Sequence, residues 1–226
     1  SLTADIMEIP AAGLWVGILF YALQIYLDFA AYSDMAIGMG LMVGFHYNEN
    51  FDYPYIANSV KDFWRRWHIS LSTFFRDYVY IPLGGNRKGP RRTTINLLVV
   101  WGLTGMWHGA SWNYILWGLY FFIFIFLENN FLSEKLKRLP GFVGHFYALA
   151  AVYFGWILFR CEDLGNLGAI LKGMFGLNGN GFLDMSTSIT IQNNIYLLIF
   201  CIIASTPLLK WVHSYMQRLQ ELRRRI

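Results

Sequence analysis

Residues Ile95–Leu127 read INLLVVWGLTGMWHGASWNYILWGLYFFIFIFL, without one Asp, Glu, Lys or Arg. The stretch exceeds the roughly 20 residues a helix needs to cross the hydrocarbon of a bilayer, and Gly102, Gly105, His108 and Gly109 interrupt it. Basic residues flank it on both sides, Arg87 to Arg92 before and Lys135 to Arg138 after. Basic loops stay on the cytoplasmic side, so both flanks are expected on one face. The chain between them must then enter the membrane and return, as a helical hairpin or re-entrant pair with His108 near its turn.

Three further stretches are apolar enough to enter a bilayer. Residues 11–45 are too long for one span, carry Gln24, Asp28 and Asp34, and are expected to bend near Gly38, Gly40 and Gly44. Residues 142–160 form a span of ordinary length. Residues 195–213 form the last, with Pro207 expected to kink it. Between these two, residues 161–194 contain Lys172 as their one cation beside Glu162, Asp163 and Asp184. This segment is expected outside, with a short amphipathic surface piece at 167–175. The C-terminus, with Arg223 to Arg225, is expected inside as a positive anchor.

The whole composition agrees. Of 226 residues 56% are hydrophobic and 14% charged, against about 25% charged in a soluble domain. So few charges cannot cover a soluble fold, and disorder is excluded by the opposite excess. The expected fold class is all-α: a polytopic membrane protein, residues 1–226 forming a single integral-membrane domain. Residues 1–10 are acidic, with no basic region of a signal peptide. The first residue is Ser1, so a processed product or part of a longer protein is expected. Cys161 and Cys201 alone make neither a disulfide framework nor a zinc spacing, and no metal site is expected.

Residues 51–89 differ from the spans. Phe63, Trp64, Trp67, Phe74, Phe75, Tyr78 and Tyr80 interleave with Lys61, Arg65, Arg66 and Arg76. From Val60 to Tyr80 the spacing predicts one amphipathic helix lying in the membrane interface, ended by Pro82 to Asn86. In a chain this apolar, such interleaving does not point to nucleic acid.

Two histidines stand out. His108 lies in Gly105–Trp112, GMWHGASW. An ionisable group at membrane depth faces a polar cavity or a partner; it is either a functional group or a neutral histidine bonded to a carbonyl of the adjacent helix. His68 follows Trp64-Arg65-Arg66-Trp67 and is an interfacial residue or a proton-exchanging one. Asp28 and Asp34 are open to two readings: a proton path, or anchors pairing with arginines of 51–89. His46, His145 and His213 fall at span ends. Nucleophile elbow, phosphate loop, dinucleotide and His-Glu-x-x-His motifs are absent from the sequence.

Three strings occur in order: Tyr26–Gly38 (YLDFAAYSDMAIG), Phe63–Gly85 (FWRRWHISLSTFFRDYVYIPLGG) and Gly105–Trp112. Together they resemble the membrane-bound O-acyltransferase family, on its alginate O-acetyltransferase branch, strongly over residues 15–130. Members often read Ser-Gly where this chain has Ala30-Ala31, and the family's N-terminal half is not represented. The resemblance implies a multi-helix bundle with a tunnel, in the bacterial inner (cytoplasmic) membrane. It implies transfer of an acetyl group from a cytoplasmic thioester, acetyl-CoA or an acyl-carrier protein, towards hydroxyls of an exported polysaccharide. No tightly bound cofactor is implied; membrane lipid, the acyl donor, the polysaccharide and secreted acetyltransferase partner proteins are.

The family's near-invariant histidine falls on His108, expected as general base. Its upstream partner falls on His68, expected to orient the base or donate to the oxyanion. Trp107, Trp112, Ser111 and Asn113 are expected around the acceptor, and Arg87, Lys88, Arg91 and Arg92 to attract the anionic donor. D-alanyl transfer to teichoic acid, a transporter using Asp28 and Asp34, and a scaffold for secreted enzymes remain as alternatives.

Overall fold

The computed structural model describes residues 8–225, with side chains up to residue 220 except those of residues 213 and 219. The expectations for residues 1–7 and for the side chains of His213 and Arg223–Arg225 lie outside the described residues. Every regular element among the described residues is helical, and four helices are long and apolar enough to cross a membrane.

Helix α1, Ala11–Met42, runs for 32 residues without a break. The bend expected at Gly38 and Gly40 is not there; the chain turns at Gly44, whose φ is 86°. Gly40 serves packing instead, because a Cβ there would stand 2.5 Å from the Tyr47 ring that folds back over it.

The single helix predicted over Val60–Tyr80 is two short ones. They are α2, Val60–Arg66, and α3, Ile69–Phe75, and a π-turn follows at Arg76–Tyr80. Trp67 is extended (φ −104°, ψ 127°) and His68 left-handed (φ 46°). Residues 50–52 supply hydrogen-bond partners to the helix ends at the break. The Asp52 N–H binds the Arg66 carbonyl at 3.0 Å, and the Asn50 carbonyl accepts the Ile69 N–H at 3.0 Å, while Trp67 packs on Phe63 and Trp156 in the core.

Helices α4, Pro90–His108, and α5, Trp112–Leu127, form the hairpin. They run antiparallel and nearly touch: a Cβ on Gly105 would lie 2.5 Å from the Tyr114 carbonyl oxygen, and one on Gly118 2.3 Å from that of Trp101. A π-turn at Glu128–Leu132 leads into α6, Ser133–Arg138. Both basic flanks therefore lie at the same end of the hairpin.

Helix α7, Gly141–Arg160, packs along α5. Asn113 Nδ2 donates to the Phe159 carbonyl at 2.9 Å and Tyr120 Oη to that of Ala151 at 2.8 Å. Helix α8, Leu164–Met174, capped by Asp163, seals the far end against Leu14 and Ile157. The last span differs from its expected bounds: α9 is Met185–Ala204, and α10, Leu208–Arg225, is a separate helix after the Pro207 break. The Asp184 carboxylate accepts the Thr187 N–H at 2.8 Å, starting α9 within a polar stretch that hydropathy assigns to a loop.

The core is aromatic. Tyr26, Phe63, Trp67, Trp117, Phe121 and Trp156 join α1, α2, α5 and α7. Beneath it the Glu128 carboxylate, 1% exposed, accepts the N–H groups of Val60 at 2.6 Å and Lys61 at 3.0 Å. Those are orphan donors of the first turn of α2, so the end of the hairpin fixes where the segment bearing His68 begins.

Candidate active site

His108 closes α4 at the hairpin turn, and His68 occupies the break between α2 and α3. Both line one cavity of about 420 Å³, together with Trp64, Trp101, Thr104 and Ser72. The Trp107 ring lies 4.9 Å from that of His108 and 5.8 Å from that of His68, so it bridges the pair.

The His108 imidazole is held by packing alone. Trp117 stands edge-on to it at 5.0 Å and Phe159 at 5.1 Å. Neither of its nitrogens has a hydrogen-bond partner among the described residues. The bond to a neighbouring carbonyl that would make it merely structural is thus not formed. His145, by contrast, makes that kind of bond, with Nδ1 3.1 Å from the Ala57 carbonyl oxygen.

His68 is held by hydrogen bonds. Its Nδ1 lies 3.2 Å from Asn50 Oδ1 and 3.3 Å from Ser70 Oγ. Asn50 cannot be flipped, because Oδ1 also accepts the Ser70 backbone N–H at 3.1 Å while Nδ2 donates to Ser33 Oγ at 3.1 Å. Nδ1 therefore carries the proton, and Nε2 is left with its lone pair. Burial pushes the His68 proton affinity down, to a pKa of about 4, which keeps the ring neutral. Phe29 of α1 stands edge-on to the ring at 4.7 Å.

The remaining candidates are placed as follows. Trp107 is exposed beside both histidines. Ser111 and Trp112 line a separate pocket of about 380 Å³ with Gly109 and Met106. Asn113 is fully buried and tied to α7, away from both spaces. Arg87, Lys88, Arg91 and Arg92 are exposed and do not line the histidine cavity. Its cations are Lys61, Arg65 and Arg76, which the sequence shows only as one face of an amphipathic segment. Asn50 and Ser33 carry no sequence signal at all. The pairing of Asp28 or Asp34 with arginines of 51–89 is not formed; Arg66 binds Asp52 at 3.2 Å and Asp62 at 3.1 Å.

The fold is a polytopic helical bundle that brings two histidines from separate segments to one cavity. The chain belongs to the membrane-bound O-acyltransferase family, whose model matches residues 2–164. It is 46% identical over 170 residues to the probable alginate O-acetylase of Pseudomonas fluorescens (75% of this chain, 34% of that protein). It is 41% identical over 198 residues to the protein of that name from Azotobacter vinelandii (86% and 40%). The peptidoglycan O-acetyltransferase of Helicobacter pylori is 39% identical over 175 residues (76% and 33%). The chain thus spans 33% to 40% of the length of these curated relatives.

Proposed function

We propose that this protein is a membrane O-acyltransferase that moves an acetyl group from a thioester donor, acetyl-CoA or an acyl-carrier protein, to hydroxyls of an exported cell-envelope polysaccharide such as alginate. The observation that carries the reading is the convergence of His68 and His108 on one cavity, with His108 making no hydrogen bond among the described residues. The membrane is the bacterial inner membrane, with the basic end formed by residues 87–92 and 133–138 on its cytoplasmic side.

In this reading His108, neutral, accepts the acceptor's hydroxyl proton as the oxygen attacks the thioester carbonyl carbon. The C–O bond forms, the C–S bond breaks, and the thiolate takes the proton from the His108 imidazolium. His68, with its proton on Nδ1, offers Nε2 as an acceptor. That lone pair suits His68 to orient a proton-bearing group in the cavity beside His108. Lys61 and Arg65 supply the positive lining on the donor side. The product passes directly to polymer or through a secreted acetyltransferase.

The test is polymer acetyl content in cells producing His108→Ala or wild-type protein at matched membrane levels. A general base contributes about 10²–10⁴-fold, so the expected result is loss of acetyl ester with normal insertion. Unchanged acetylation would remove His108 from the chemistry.

A further inference from the structure

An open groove of about 500 Å³ lies between α1 and the end of α7. Tyr21, Gln24, Asp28 and Tyr32 recur at three- and four-residue intervals and share one stripe of α1, while Arg160, the last residue of α7, closes the groove. Gln24, Asp28, Tyr32 and Arg160 are exposed. The Asp28 carboxylate has no hydrogen bond or ion pair among the described residues, and Arg160 rests 5.6 Å over the Tyr21 ring. A carboxylate and a guanidinium on spanning helices do not face hydrocarbon; they face water or a polar ligand.

One phenylalanine ring stands between the groove and each histidine. Phe29 in its wall is edge-on to His68 at 4.7 Å, and Phe159, the neighbour of Arg160, is edge-on to His108 at 5.1 Å. The cavity bearing Lys61 and Arg65 reaches the same pair through α2, α3 and α4. The histidines thus lie between two spaces of different character: their own cavity, which holds the cations, and a groove beyond Phe29 and Phe159 lined by a carboxylate, an amide, a guanidinium and two tyrosines.

We propose that the groove on α1 and α7 binds the acceptor, a hydroxyl-rich glycan segment. A carboxylate accepts two hydroxyls at once, Gln24 both donates and accepts, and Arg160 donates only. Tyr32, exposed, offers a flat apolar face to a sugar ring. The inference rests on the acyl-transfer reading for what becomes of the bound hydroxyl, but not for the binding itself.

The experiment is titration of the purified protein in lipid nanodiscs with alginate oligosaccharides, read by calorimetry, beside a transfer assay. Wild type and His108→Ala should bind alike. Asp28→Asn and Arg160→Gln should each weaken binding at least tenfold and raise the acceptor KM, leaving the donor KM within twofold. Gln24→Ala, an exposed and uncharged change, guards against misfolding and should weaken binding by about threefold. Equal binding by all variants, or no binding by wild type, overturns the proposal. Binding that depends on Asp28 and Arg160 in a wild-type protein that transfers no acyl group would uphold the groove and remove the acyl-transfer reading. Loss of solute or proton flux in Asp28→Asn with glycan binding intact would overturn the groove in favour of transport.

Discussion

Asn50 Oδ1 lies 3.2 Å from His68 Nδ1 across 18 residues of sequence, and the same oxygen accepts the first free N–H of α3 from Ser70 at 3.1 Å. One amide thus holds the helix start and the imidazole tautomer together. The left-handed backbone of His68, rare for a residue with a Cβ, is what turns the ring towards Asn50 on one edge and the cavity on the other.

Asn50→Ala removes that acceptor from both groups. Transfer should fall by about a hundredfold, the scale of a misplaced catalytic group, with the donor KM little changed. Nitrogen NMR of the His68 ring should show loss of the single Nδ1–H tautomer. Asn50→Asp instead sets a carboxylate beside the ring, favouring imidazolium, so the rising limb of the pH–rate profile should move to higher pH. A ring spectrum identical to wild type in both variants would dissociate Asn50 from the tautomer.

The His68 shift also fixes a sign for stability. Its pKa is about 4 in the folded protein against 6.5 for an ordinary histidine. Between those values the unfolded chain binds more protons, so the contribution is full above pH 6.5 and fades as pH falls towards 4. Wild type should therefore lose stability relative to His68→Gln on acidification through this window, measured by denaturing-detergent titration at each pH. Parallel curves would contradict it.

Glu128 is the hinge between the hairpin and the His68 segment. Glu128→Gln turns an amide NH₂ towards one of two backbone N–H groups and should cost about 1–3 kcal/mol. Glu128→Ala leaves both donors buried without the carboxylate and should cost more. Unfolding midpoints in mixed micelles would measure both, and limited proteolysis at residues 59–68 should become faster.

Gly118→Ala and Gly105→Ala set a methyl against backbone oxygen at 2.3 and 2.5 Å, where no side chain can yield. Each should destabilise by about 1–3 kcal/mol and displace His108. Gly102, in the same helix, has open space beyond it. Gly102→Ala should be neutral or stabilising by up to about 1 kcal/mol. If all three behave alike in thermal aggregation assays, the close approach of α4 and α5 is not what the glycines serve.

Much of the fold was legible because hydrophobicity and charge act locally. The hairpin follows from an uncharged run too long for one span between two basic flanks, and α7 from a run of one span's length. The α2–α3 break was not legible, since the groups that satisfy the helix ends there, on Asn50 and Asp52, come from another segment of the chain. Nor was the start of α9, where one Asp184 cap outweighs the polarity of the residues that follow. In the site, His108 and His68 were visible as histidines in unusual company, but Asn50 is an ordinary asparagine until the fold brings it to His68.

The sequence by itself determined that the chain enters a membrane, which end of the hairpin is basic, and which histidines stand apart, because transfer free energies and charge sum along a chain without regard to its path. The tertiary structure decided which cations share a cavity with those histidines, which nitrogen of His68 holds the proton, and that Asp28 lines a groove with Arg160 and makes no ion pair with the arginines of the interfacial segment. Those are properties of short distances between remote residues, and a hydrogen bond or ring contact depends on angles and ångströms that only the packed bundle sets.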